Sequence, residues 1–261
     1  MDFASIKAVI FDMDGVLWLG NEPLPGLVEM FAFLDHRHIP YRLATNNSRL
    51  SQKDYVAKLA KMGVHQIAES SILTSGLATA IYLRTIYDAG TTLFVVGGSG
   101  LVYELENAGF HIGLEGAKAV VVGIDREFTY EKAKIATRLL LSDIAFFATN
   151  ADKNVPLEDG LAPGAGSIVA MLETASGRIA TVIGKPYPAM FEAALRQLGT
   201  QPHETIMVGD RLNTDIEGAH HAGLKTVMVL TGVNSRADAA IYPIQPDLIA
   251  EDLPDLIRLW A

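Results

Sequence analysis

A chain of 261 residues with 30 acidic and 21 basic side chains carries a formal charge of −9. That balance argues against a nucleic-acid backbone or an anionic membrane as the main partner, because both need basic surface. There is no cysteine, which excludes disulfides, zinc–thiolate sites and thiol catalysis.

The start, Met1-Asp2-Phe3-Ala4-Ser5-Ile6-Lys7, lacks the basic segment and apolar core of a secretory leader. No stretch approaches the ~20 uninterrupted apolar residues of a membrane span. The expectation is a cytoplasmic globular protein of one large or two modest domains.

The first predicted strand is 7–11, and it runs directly into Asp12-Met13-Asp14-Gly15. A second, 40–44, ends at Thr45-Asn46-Asn47-Ser48. A helix over 51–62 follows, with Ser51 as N-cap, Asp54 in its first turn and Gly63 as its stop. Strands are predicted at 71–74 and 92–96. The glycines after the latter, Gly97, Gly98 and Gly100, do not fit G-x-G-x-x-G and read as a strand-to-helix turn. Next come a strand at 118–123, a helix at 129–141 opening on Thr129, and strands at 145–148 and 180–183. A helix at 188–198 carries Phe191, Ala194, Leu195 and Leu198 on one stripe and stops at Gly199. A strand at 205–208, a helix at 214–222 ending before Gly223 and a strand at 225–229 follow.

Most strands are apolar on consecutive residues, as expected of parallel strands covered on both faces. Their alternation with amphipathic segments predicts an α/β fold with a Rossmann-like parallel-sheet core. Only one loop and one helix fit between Asp14 and Thr45, whereas Thr45 and Lys185 are far apart in sequence. The excess implies an inserted α/β domain at 90–177, hinged near Ala89-Gly90 and Ser176-Gly177. The core would then be discontinuous, comprising 1–89 and 178–261.

Asp12, Thr45, Lys185 and Asp210 each lie at or just past the C-terminal end of a strand, the edge where open parallel sheets bind ligands. Asp12 and Asp14 have two readings. They are solvated carboxylates ending a strand, or a nucleophile and a general acid/base for phosphoryl transfer. Thr45 and the amides after it form an ordinary polar turn, or a cradle for phosphoryl oxygens. Lys185, fixed between Gly184 and Pro186, is a surface group or the cation that neutralises the transferring phosphoryl group. Asp210 is a candidate Mg²⁺ ligand together with the Asp12 carboxylate and the Asp14 backbone carbonyl. Asp215 either orients Lys185 and metal-bound water or is a helix N-terminal acid favoured by the dipole. Trp18 walls the site or belongs to the core. His220 and His221 lack ligand spacing.

Together, Asp12-Met13-Asp14-Gly15, Thr45, Lys185 and Gly209-Asp210-Arg211-Leu212-Asn213-Thr214-Asp215 resemble the haloacid dehalogenase superfamily of phosphohydrolases. An insertion between the second and third motifs resembles its type-II cap. Ala148-Thr149-Asn150-Ala151-Asp152, Pro163-Gly164-Ala165-Gly166-Ser167 and Ile183-Gly184-Lys185-Pro186 look like the NagD or 4-nitrophenylphosphatase branch.

The resemblance implies Mg²⁺-dependent hydrolysis of small phosphomonoesters: nucleotides, sugar phosphates, phosphoglycolate or pyridoxal phosphate. Asp12 would be the nucleophile and Asp14 the acid/base. Thr45 and Asn46 would hold the phosphoryl group, with Asn47 near substrate, and Lys185 would balance charge. The metal set would be Asp12, Asp14, Asp210 and Asp215. The loop Gly123-Ile124-Asp125-Arg126-Glu127, through Asp125 and Arg126, and the segment Asn150-Ala151-Asp152, through Asn150 and Asp152, would face the substrate. A homodimer is compatible with this branch. A dehalogenase would not need Asp14, and a phospho-acceptor receiver module would need no inserted domain. A phosphotransferase of the same superfamily and a non-catalytic binding protein are the alternatives.

Overall fold

The computed structural model describes residues 1–157 and 160–261. It contains two compact units. The first comprises Met1–Thr45, Gln52–Leu73 and Lys185–Ala261, and the second Asn46–Ser51 and Thr74–Gly184. The chain therefore passes between units immediately after Thr45 and immediately before Lys185. The limits expected at 90 and 177 fall inside the second unit. Helix Ser75–Leu83 belongs there because it buries Ala78, Ala80 and Leu83 and packs against helix Ser99–Asn107.

Every strand read from the sequence forms, and the architecture is the expected α/β fold with parallel sheets. The first unit is built on a sheet ordered Leu248–Ala250, Lys225–Val229, Thr205–Gly209, Ala8–Phe11, Tyr41–Thr45, Ile72–Thr74. Pairing from Leu248–Ala250 through Tyr41–Thr45 is parallel throughout. Ala8, Val9, Ile10 and Phe11 are all fully buried, which explains why this strand shows no alternation. Starting from this central strand, the chain first builds outward on one side and later returns to build on the other. The strand order therefore reverses between Ala8–Phe11 and Thr205–Gly209, and the C-terminal end of that junction is a natural ligand crevice. Register makes the ends flush, since Phe11 pairs with both Val208 and Leu43. Asp12, Thr45 and Asp210 thus emerge on one edge.

The second unit carries a five-stranded sheet ordered Thr181–Val182, Ala145–Ala148, Ala119–Val122, Thr92–Val96, His111–Ile112, also parallel. Its core joins Val120, Val122, Phe146 and Ala148 to Ala136, Leu140, Val169 and Leu172. Helix Tyr130–Leu141 is capped by the Thr129 side chain, which accepts from the Lys132 N–H.

The helix expected at 214–222 differs at its start. It begins as a π-helical turn over Leu212–Ile216, and α-helix resumes at Glu217–His221. The Arg211 carbonyl accepts from both Asp215 N–H and Ile216 N–H, which widens the turn. Short pairings absent from the sequence reading are Trp18–Leu19 with Glu22–Pro23, Asn154–Leu157 with Gly160–Pro163, and the edge strands His111–Ile112 and Leu248–Ala250.

Candidate active site

Lys185 is the hub of the first unit's polar cluster. Its side chain is 2% exposed, and its ammonium group donates to Asp12 Oδ1 at 2.6 Å and to the Ala44 carbonyl at 3.0 Å. It also lies 2.7 Å from Asp215 Oδ1. Burial opposes its charge, but Asp12 and then Asp215 outweigh that effect and hold its pKa above the usual lysine range. The cation is therefore permanent at neutral pH.

Asp12 continues the sheet, donating its backbone N–H to the Val208 carbonyl at 2.8 Å. Its carboxyl is pushed well above the ordinary carboxylate range by burial. Lys185 works against this, while Asp215 and Asp210 add to it. Asp215 is fully buried, and its Oδ2 accepts from the Arg211 N–H at 3.1 Å. Both Asp215 oxygens are thus turned toward protein donors.

Asp210 differs. Its Oδ2 accepts from the Val233 N–H at 2.7 Å, but its buried Oδ1 has no hydrogen-bond partner among the described residues. Burial first, and the Asp215 charge second, raise its pKa from 3.8 to about 6. Asp12, Asp210 and Asp215 each bring a carboxylate oxygen within 4.8 Å of the others. Three buried carboxylates around one ammonium leave a surplus of negative charge. An orphaned buried oxygen beside that surplus is the donor set a hard divalent cation takes.

Two glycines let the chain close around Asp210. Gly15 sits at φ +87°, and a Cβ there would lie 2.5 Å from Asp210 Oδ2. A Cβ on Gly232 would lie 2.0 Å from the same oxygen. No larger residue fits either position without displacing the carboxylate.

Asp14, by contrast, is exposed. Its Oδ1 accepts from the Trp18 indole N–H at 2.7 Å.

Residues 9–111 match the family described as haloacid dehalogenase-like hydrolase, and residues 182–256 match the related HAD-hydrolase-like family. The dihydroxyacetone phosphatase of Corynebacterium glutamicum is 35% identical over 95% of this chain and 90% of its own length. The chain belongs to the haloacid dehalogenase-like hydrolases. Among solved structures, the 4-nitrophenylphosphatase of Thermotoga maritima superposes with a TM-score of 0.93 at 34% identity, covering 98% of each chain. NagD of Escherichia coli K-12 gives 0.89 at 35% identity, covering 95% of this chain and 97% of its own. The hydrolase falls in the NagD and 4-nitrophenylphosphatase branch and is a phosphoric monoester hydrolase.

The structure of this hydrolase gathers Asp12, Lys185, Asp210 and Asp215 into one buried cluster, and Ala44, next to the buried Thr45, joins it through its carbonyl. The remaining expected residues lie in the second unit. Asn46 Nδ2 donates to Asp152 Oδ1 at 3.2 Å, and Asn150 Nδ2 donates to the Asn46 carbonyl at 2.7 Å. Asn47 Oδ1 accepts from the Arg49 N–H. Asp125 is buried and committed: Lys132 donates to its Oδ2 at 2.8 Å and the Glu127 N–H to its Oδ1 at 2.9 Å. Arg126 is exposed. His220 and His221 are exposed on their short helix.

Thr231-Gly232-Val233-Asn234 also supports the site, although no residue-type motif marks it in the sequence. Thr231 Oγ1 donates to the Gly15 carbonyl at 2.6 Å, and the Asn234 N–H donates to the Asp210 carbonyl at 3.2 Å. Asn234 Oδ1 also accepts from the Leu212 N–H. The usable signal was position: this segment follows strand Lys225–Val229, at the same sheet edge as the motifs that were found.

Proposed function

We propose that this phosphatase hydrolyses small phosphomonoesters in two steps, carrying the phosphoryl group on Asp12 and using Mg²⁺ held by Asp12 and Asp210. The observation that carries the reading is the Lys185–Asp12 contact of 2.6 Å beside the unpartnered Asp210 Oδ1. Lys185 fixes one oxygen of Asp12, and the other takes no protein hydrogen bond among the described residues, leaving it to attack phosphorus.

When bound, Mg²⁺ supplies charge neutralisation for the phosphoryl oxygens and the attacking carboxylate. Lys185 opposes the same charge as it develops, and Thr45 with Asn46 holds the phosphoryl oxygens. Asp14 gives a proton to the leaving oxygen as the P–O bond breaks. It then takes a proton from the water that attacks the phosphorylated Asp12, whose carboxylate is released with phosphate. Asp215, with both oxygens engaged, orients Lys185 instead of serving as a direct ligand. In the second unit, Asp125 shapes its loop through Lys132. Asn47, Asp125, Arg126, Asn150 and Asp152 are the proposed substrate-contacting set. The dihydroxyacetone and 4-nitrophenyl phosphates implied by the relatives' names support small esters as the substrate class.

The intermediate is tested by acid-quenching Asp14→Asn during turnover and mapping peptides by mass spectrometry. A phosphoryl group on the peptide containing Asp12 is expected. Its absence while phosphate is still released contradicts covalent catalysis.

The metal assignment has a thermodynamic signature. The unfolded chain loses the Asp210 proton near 3.8, whereas the folded chain keeps it to about 6. Between these values the folded state binds more protons, so stability falls as pH rises through that window and stays lower above it. Asp12 acts in the same direction. In chelator, the melting temperature is expected to fall across this range, and Asp210→Asn should flatten the fall. Added Mg²⁺ should raise the melting temperature above pH 6 in wild type and much less in the variant. An unchanged pH slope in Asp210→Asn, together with full Mg²⁺ stabilisation, would refute the ligand role.

A further inference from the structure

Asp14 is exposed, yet one of its oxygens is held by a residue with no exposure at all. The Trp18 side chain is fully buried, and its indole N–H reaches Asp14 Oδ1 at 2.7 Å. The indole is itself clamped. Tyr55 stacks on it with ring centroids 6.1 Å apart and planes 21° from parallel. The Lys58 ammonium lies 4.2 Å from the ring centroid and donates to the Gly20 carbonyl at 2.7 Å. The Trp18 carbonyl accepts from the Gly15 N–H at 2.8 Å, closing the turn that carries Asp14. A cation over the ring face draws electron density and strengthens the N–H as a donor.

From this geometry we propose that Trp18 is a positioning residue for the acid/base, acting through Asp14. This rests on the proposed role of Asp14. An indole N–H can only donate. Asp14 Oδ1 must therefore accept, and in the acid form the proton sits on Oδ2. Oδ2 takes no protein hydrogen bond among the described residues. Carboxylate torsions are broad when unrestrained, so the indole converts a freely rotating exposed acid into one that presents a single protonated oxygen. During transfer to Asp12, the P–O bond breaks, its electron pair goes to the leaving oxygen, and the Oδ2 proton follows. The attacking water later returns a proton to Oδ2 and its oxygen bonds to phosphorus, while the phosphorus–Asp12 bond breaks and its electron pair returns to the Asp12 carboxylate.

A purely structural Trp18 would affect all substrates alike, whereas a positioning role depends on how much the leaving group needs a proton. The test compares kcat/KM, which reports the first transfer, for glycerol 2-phosphate and 4-nitrophenyl phosphate. The alkoxide leaves poorly without protonation and the nitrophenolate leaves well. In Trp18→Phe, kcat/KM for glycerol 2-phosphate is expected to fall about tenfold, the value of one hydrogen bond to a charged group, with a much smaller fall for 4-nitrophenyl phosphate. Because Trp18 is buried, the same pair is measured with Trp18→benzothienylalanine, which keeps the ring shape and replaces the N–H with sulfur. It should show the same selectivity. Asp14→Asn should show a larger selectivity of the same kind. Equal falls on both substrates in the Trp18 variants, or no fall in either, overturn the proposal while leaving Asp14 in place. No selectivity in Asp14→Asn overturns the acid assignment and this proposal with it.

Discussion

Asp12→Asn is expected to reduce phosphate release by a factor on the order of 10⁴ or more, as loss of a covalent nucleophile does, without unfolding the protein. The second part of this expectation follows from the buried charges. Burial and the neighbouring carboxylates Asp215 and Asp210 already disfavour the ionised form of Asp12. The amide oxygen can still accept from Lys185, and the surplus of negative charge shrinks by one. In chelator, the variant should melt no lower than wild type. If the relief is worth about 1 kcal/mol, the gain is about 2–4 °C. With Mg²⁺ the order should reverse, because the variant has lost a ligand. Near-normal turnover in a folded variant would remove Asp12 from the nucleophile role.

Lys185→Met is expected to damage both function and stability. Lys185 bridges Asp12 at 2.6 Å and Asp215 at 2.7 Å, and it is almost completely buried. Removing one partner of a buried ionic cluster costs about 3–5 kcal/mol, because the remaining charges keep their burial and lose their compensation. For a chain of this size that is roughly a 10 °C drop in melting temperature. The deficit should narrow toward acidic pH, since a protonated Asp12 needs no counter-charge. Activity should fall by about 10²–10³, the usual cost of losing a donor that stabilises developing charge. Melting curves and phosphate release across pH check both parts. A variant as stable as wild type at neutral pH would mean that the carboxylates are neutral and that Lys185 does not hold the cluster together.

The core of the site was legible because its residues sit at strand ends, and the strands announce themselves. Ala8-Val9-Ile10-Phe11 is an uninterrupted apolar run, so the carboxylate after it had to fall on the sheet edge. The same holds for Asp210 after Ile206-Met207-Val208-Gly209 and for Thr45 after Leu43-Ala44. What was not legible depends on tertiary contacts. Helix Ser75–Leu83 belongs with the second unit because of its packing against Ser99–Asn107, which no local pattern records. The π-helical turn at Leu212–Ile216 arises from two N–H groups converging on one carbonyl, a geometry that periodicity does not encode. The segment Thr231-Gly232-Val233-Asn234 supports Asp210 through backbone groups, and backbone donors leave no residue-type signal. The Lys132–Asp125 ion pair joins side chains seven residues apart, and no local pattern records it.

Mg²⁺-dependent hydrolysis through Asp12 is tested by measuring phosphate release from a panel of small phosphomonoesters, with Mg²⁺ or with chelator, for wild type and Asp12→Asn side by side. The panel would include sugar phosphates, nucleotides, phosphoglycolate, pyridoxal phosphate and 4-nitrophenyl phosphate. Release is expected to require Mg²⁺ and to disappear in the variant. Release that persists in chelator, or that survives the loss of Asp12, would contradict that mechanism.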